Sequence, residues 1–207
     1  MNYSIQRSKK ADVKSAVSLL LMTMSDFGIS LFGFGDKDKT KNIVENFFIH
    51  NRNRFSYKLT DLILIDDNIA GLLLSFPGNQ MINLEMHTFF RLWRVYKKMD
   101  VLKFIWRILP LVNHKEAEKD EYYIAHLAVK SSSRRRGIGK RLLEYAEAKA
   151  EEYNLQKCSL TVDVDNQGAI KLYRKCGYEI VAEYIQMNLL ERFHTRGNYR
   201  MVKSLRN

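Results

Sequence analysis

Cysteine and proline each occur only twice in the 207 residues, and neither residue type builds a site. Cys158 and Cys176 supply no zinc-type cysteine pair, so reduced, structural thiols in a cytoplasmic protein are the expectation. Pro77 ends a hairpin abruptly and Pro110 closes a helix. No apolar run is long enough to cross a bilayer, which argues against a membrane span. Residues 1–10 lack the apolar core of a secretory signal. Acid is the scarce charge, 23 Asp and Glu against 34 Lys and Arg, for a net charge of +11. A hydrophobic content of 46% with 28% charged residues is ordinary for a globular protein, and the length suits one well-buried α/β domain over 1–207. No internal repeat or low-complexity stretch is visible.

What the chain does have is concentrated between Leu127 and Arg141. An apolar strand, a basic glycine-containing turn and the opening of an amphipathic helix follow one another directly. The first turn of a helix carries unpaired N–H donors and the positive end of the macrodipole. Gly137 and Gly139 lack Cβ atoms, so an anion can approach the backbone closely. Spacing excludes two better-known glycine loops. A phosphate loop of the Walker type needs glycine where Arg134 stands and Ser or Thr where Arg141 stands. A dinucleotide fingerprint needs glycine at Leu142.

The flanks extend the pattern. Tyr122 to Val129 is rich in aromatic and aliphatic residues, as a central strand covered on both faces should be. Ile138, Leu142, Ala146, Ala150 and Tyr153 recur at helical spacing, with Asn154 as a stop signal. Residues 159–164 alternate as a second strand. A short helix follows, with Asn166 as N-cap and Gly177 as the glycine past its end.

Arg-x-x-Gly-x-Gly over 134–139 resembles the coenzyme A loop of the GNAT (Gcn5-related) N-acetyltransferase superfamily. Asn166, Ala169, Leu172, Tyr173, Gly177 and Tyr178 match that family's second hallmark, Asn-x-x-Ala-x-x-Leu-Tyr-x-x-x-Gly-[Phe/Tyr], at every position. The resemblance implies a GNAT fold: an α/β (α+β) chain whose central mixed, mostly antiparallel twisted sheet is flanked by helices, with strands splayed to admit coenzyme A. It implies acetyl-CoA as cosubstrate, no metal, and direct transfer to a primary amine of a small molecule or peptide. Leu127, Ala128 and Val129 would line the pantetheine arm, with the Leu127 N–H steadying the thioester oxygen. Arg134, Arg135, Arg136, Gly137, Ile138, Gly139 and Lys140 would hold the pyrophosphate. Asn166 and Ala169 would line the other side of the arm, and Tyr173 would protonate the departing thiolate. Family members often carry a base on the preceding strand, near Tyr123. Tyrosine there is a departure, and Glu121 acting through water is expected instead. By period-two alternation Glu121 shares a face with Tyr123, Ala125, Leu127 and Val129, while His126 points to the other face as a packed histidine.

The N-terminal half reads as a strand at 3–7, helices at 12–24 and 39–51, an irregular Gly28 to Gly35, and a hairpin at 62–76 turning on Asp66-Asp67-Asn68. The segment at about 79–120 is longer than a minimal connection, and 87–109 within it reads as one basic, aromatic-rich amphipathic helix. Such a helix can lie on a membrane or meet a partner, although covering the sheet or walling the acceptor pocket is the simpler role. His87 reaches the pocket only if that helix folds over it. A non-catalytic module that senses acyl-CoA or docks on a partner is the alternative function. Nucleic-acid binding through the basic surface is disfavoured, and a homodimer is possible.

Overall fold

In the computed structural model the described residues are 3–109, 115–185 and 188–205; Pro110, expected to close a helix, lies outside them. The chain runs β1 (Tyr3–Arg7), α1 (Val13–Phe32), α2 (Lys37–Phe48), β2 (Thr60–Ile65), β3 (Asn68–Pro77), α3 (Met81–Val95), α4 (Lys98–Ile108), β4 (Tyr122–Val129), α5 (Ile138–Glu152), β5 (Lys157–Asp163), α6 (Gln167–Lys175), β6 (Glu179–Ile185), α7 (Asn188–Phe193) and β7 (Gly197–Ser204). The strands form one seven-stranded sheet in the order β1-β2-β3-β4-β5-β7-β6. Every pairing is antiparallel except β4 with β5. No single helix among the described residues is long and apolar enough to cross a membrane.

Local chemistry explains most element boundaries. Asp66 and Asp67 both take positive φ, 47° and 61°, the conformation that a two-residue hairpin loop compatible with strand twist demands. Asp36 caps α2 by accepting the Lys39 N–H at 2.9 Å, leaving Ile43, Val44, Phe47 and Phe48 on the buried face. One apolar cluster joins α1 to α4 to one face of the sheet, around Leu20, Phe47, Leu72 and Tyr123. A second joins α5 and α6 to the other face, around Leu142, Leu160 and Tyr178. Each fully buried large side chain in these layers contributes about 1.5–3 kcal/mol.

Three expectations are revised. Helix α1 does not stop at Met24; it turns through 103° between Met24 and Asp26 and continues to Phe32, so the glycine-rich stretch after it is largely helical. Buried Phe32 accounts for this, since it packs on Phe47, Phe55 and Phe104. The single helix at 87–109 is two, broken where Tyr96 and Lys97 are extended. Tyr96 is buried there and donates to the Phe32 carbonyl. Beyond residue 178 the sequence had suggested no elements, yet β6 and β7 complete the sheet.

Candidate active site

Strand β4 organises the site. It pairs with β3 along its whole length, but with β5 only through Tyr122, Tyr123 and Ile124, opposite Cys158, Ser159 and Leu160. Beyond Ile124 the two parallel strands diverge, and Ala125, His126 and Leu127 are half-exposed in the middle of the sheet. The Lys130 N–H bonds the Ala70 carbonyl at 2.8 Å. Antiparallel alternation from that anchor turns the backbone groups of Ala128 and His126 toward β3, and those of Val129 and Leu127 toward the gap. The Val129 carbonyl accepts from Arg134 Nε at 3.3 Å. A slot with unpaired strand edge on one wall is thus built into the sheet.

The mouth of the slot is electropositive. The first intrahelical bond of α5 runs from the Arg141 N–H to the Gly137 carbonyl at 3.1 Å, so the amides of Ile138, Gly139 and Lys140 precede the helical ladder. No acid occupies that first turn. Gly137 has φ +78° with nothing within 4 Å of where a Cβ would stand, leaving space for a ligand. Arg135 is also left-handed, at φ 59°. Arg134, Arg136 and Lys140 are exposed around the turn. Gly139 has a different use: a Cβ there would come within 2.8 Å of Leu172 Cδ2, so its absence lets α5 and α6 approach.

Helix α6 forms the facing wall. Asn166 caps it, accepting the Ala169 N–H at 3.1 Å, and Gly177 ends it at φ +89°. Tyr173 is 8% exposed, and its hydroxyl has no hydrogen-bond partner among the described residues. Burial pushes its pKa up to about 12, so it holds its proton across the neutral range.

A β-bulge reorders the other side of the site. His126 pairs with Leu74 and Ile124 with Ser75, so Ala125 is the extra residue that shifts side-chain phase. Tyr123, Ala125 and Ala128 therefore face the α1–α4 layer, while Leu127 and Val129 face α5 and α6. This corrects the expected sharing of one face by Tyr123, Leu127 and Val129. It also moves His126 onto the Tyr123 side, where its ring lies 5.6 Å from that of Phe55.

The Thr23 hydroxyl donates to the Leu20 carbonyl at 2.7 Å and lies 2.9 Å from His126 Nδ1. A hydroxyl has one proton, so Nδ1 must be the donor of the second bond and Nε2 bears the lone pair. Burial, aided by the Arg54 charge, brings the His126 pKa down to about 4 and keeps the ring neutral. Arg54 bridges Glu85 and Glu116. Burial works to raise the Glu116 pKa, but Arg54 beside it holds the carboxylate lower than usual. Tyr123 lies 3.2 Å from the Thr161 hydroxyl at the apex of the gap, and burial, with the Glu116 charge beside it, pushes its pKa up.

Glu121, the expected base, is 2% exposed. Arg200 Nη2 reaches both its oxygens, at 2.6 and 2.5 Å, and the Glu118 N–H occupies one of them at 2.8 Å. Buried and held by three hydrogen bonds, it is placed as a strut, a setting unlike that of the base expected from the resemblance: the same Arg200 bonds the Glu116 carbonyl at 3.3 Å and ties the segment carrying that carboxylate. His87 lines a separate groove of about 420 Å³ with Asn51, Lys58 and Asn83, sharing no residue with the slot. Arg54, Glu116 and Arg200 carried no motif that could have singled them out.

Comparison with known proteins agrees with this geometry. The sequence model of the acetyltransferase (GNAT) family matches residues 29–178. An N-acetyltransferase from Staphylococcus aureus Mu50 superposes with a TM-score of 0.74 at 22% identity, covering 96% of this chain and 99% of its own. Another acetyltransferase gives 0.71 at 21% identity, covering 98% and 100%; both likenesses are of fold. GCN5-related N-acetyltransferase 4, chloroplastic, of Arabidopsis thaliana is 39% identical over 59 residues, 28% of this chain. The match spans 20% of that relative's length. The split between β4 and β5, the amide-lined start of α5 and the family match over more than half the sequence place this chain in the GNAT acetyltransferase family, a class of acetyl-CoA-dependent acyltransferases.

Proposed function

We propose that the protein moves an acetyl group from acetyl-CoA directly to a primary amine of a small molecule or peptide. The observation that carries this reading is the strand edge of Leu127 and Val129, left without a partner strand beside the α5 N-terminus. A pantetheine arm is an extended, amide-bearing chain, and that edge offers it the bonds that β5 would otherwise make. The amides of Ile138 to Lys140 and the charges of Arg134, Arg136 and Lys140 suit the pyrophosphate. In the reaction the amine nitrogen attacks the thioester carbon, and the Leu127 N–H stabilises the oxygen as it gains charge. The C–S bond then breaks, and Tyr173 gives its proton to the thiolate.

The amine must also lose a proton, and His126 Nε2 is the acceptor we assign in place of Glu121. It is neutral, oriented by Thr23, and without a described partner. Its low basicity is matched to its setting, because the Arg54 charge and the burial that disfavour imidazolium also disfavour an ammonium ion beside it. Neither Cys158 nor Cys176 is suited to a covalent intermediate: burial raises both thiol pKa values, that of Cys158 to about 12. As free thiols they fit the reducing, cytoplasmic setting that forms part of this proposal.

The test is coenzyme A release from acetyl-CoA with a panel of polyamines, amino acids, aminoglycosides and peptide N-termini. Release with at least one class, in a sequential kinetic pattern, is expected. Acetyl-CoA binding without release by any amine would instead support an acyl-CoA-sensing module and end the catalytic reading.

A further inference from the structure

The α3–α4 hairpin is apolar on two faces. Met81, Leu84 and Leu92 of α3, with Val101 and Phe104 of α4, face the core. On the outer side Phe90, Trp93, Met99 and Leu102 each leave 60 to 66% of their surface exposed. Ile82 and Met86 extend that face at one end and Leu109 at the other. Exposed large apolar residues recur at helical spacing on each helix, at 82, 86, 90 and 93 and at 99, 102, 106 and 109, and such clustering marks an interaction site rather than ordinary surface.

Charge identifies what covers it. Both acids of the hairpin are paired with residues outside it, Glu85 with Arg54 at 3.0 Å and Asp100 with Lys39 at 2.9 Å. Arg94, Lys97, Lys98 and Lys103 are exposed and form no ion pair among the described residues. The outer face therefore combines bulky apolar side chains with uncompensated cations. A second copy fits poorly, because it would bring the same unpaired cations and no free acid, both acids of the hairpin being already paired. An anionic bilayer supplies both complements: headgroup charge for the cations and an apolar boundary for the rings. At 15 and 11 residues, with their inner faces committed to the core, the helices are arranged to lie on such a surface.

We propose that the outer face of α3 and α4 docks the protein on an anionic lipid surface, with Phe90, Trp93, Met99 and Leu102 entering the headgroup boundary and Arg94, Lys97, Lys98 and Lys103 gripping lipid charge. The sequence contains two tryptophans, and both, Trp93 and Trp106, are exposed on this hairpin, so intrinsic fluorescence reports on the face directly. Full-length protein is mixed with phosphatidylcholine vesicles or with vesicles that also contain phosphatidylglycerol, and sedimentation and emission are followed as salt rises. Expected are binding and a blue shift with phosphatidylglycerol vesicles alone, both weakening with salt. Each lysine near an anionic surface is worth about fivefold in affinity, so Lys97→Glu/Lys98→Glu, at exposed positions that leave the core intact, should lose at least about tenfold. Leu102→Ser should abolish the blue shift while thermal unfolding and acetyl-CoA binding stay unchanged. No binding to anionic vesicles at low salt overturns the proposal, as does binding indifferent to lipid charge. A concentration-dependent blue shift without vesicles, accompanied by dimerisation in light scattering, also overturns it and gives the face to a second copy.

Discussion

On the proposed mechanism Tyr173 and His126 divide the proton chemistry between them, and each has its own test. Tyr173→Phe removes one hydroxyl from a side chain whose ring is held at 6.2 Å from that of Tyr178. The ring contact survives, so kcat should fall by about a hundredfold or more while acetyl-CoA affinity stays near wild type. His126 titrates lower in the folded chain, about 4, than its ordinary 6.5. A depressed pKa means that the unfolded chain takes up the proton first, so stability present above pH 6.5 is lost as pH falls toward 4. At about 1.4 kcal/mol per unit the loss amounts to a few kcal/mol. Melting temperatures of wild type and His126→Gln, measured across that window, should converge as the variant escapes the loss. Glu121→Gln leaves Arg200 buried without its counter-charge, a cost of about 3–5 kcal/mol in urea denaturation. A catalytic base at Glu121 would behave in the opposite way, abolishing turnover with stability intact.

At the scale of elements, the bulge at Ala125 and the start of α5 decide what faces the slot. The α5 motif was legible because a glycine turn before a periodic helix leaves few conformations. Gly137 proved to be the position needing positive φ, whereas Gly139 serves packing. Gly139→Val should therefore push on Leu172 and lower stability by about 1–3 kcal/mol, visible in the melting temperature without added ligand. The bulge was not legible, since Tyr122 to Val129 carries apolar residues in both phases and one extra residue leaves no trace in the pattern. That omission put His126 on the wrong face. The Arg200 partner of Glu121 was equally hidden, because it sits on β7, in a stretch whose strands the sequence did not announce. Ion pairs between residues some 80 positions apart, as here, arise from sheet order, which local spacing does not encode.

At the scale of the molecule, the net charge of +11 includes two cation clusters that bear on function. One cluster surrounds the turn at 134–140 and suits a pyrophosphate; the other edges the α3–α4 hairpin. The sheet has a layer on each face: α1 to α4 cover the face from which His126 points, while α5 and α6, with Tyr173 on α6, cover the other; the split beyond Ile124 lies between them. On the proposed mechanism the acceptor would enter from the His126 layer and the donor from the Tyr173 layer, an arrangement that suits direct transfer. The central claim is that this split, with the α5 turn at its mouth, is an acetyl-CoA site. Calorimetric titration with acetyl-CoA tests it most directly. An added Cβ would stand in the open space beside the turn and, at about 1–2 kcal/mol for a left-handed residue, would let the free turn relax out of the shape the pyrophosphate needs, so Gly137→Ala should weaken binding about tenfold, while wild type and Tyr173→Phe bind one-to-one with similar affinity. Wild-type protein that takes up no acetyl-CoA, or binding indifferent to Gly137, would contradict the account.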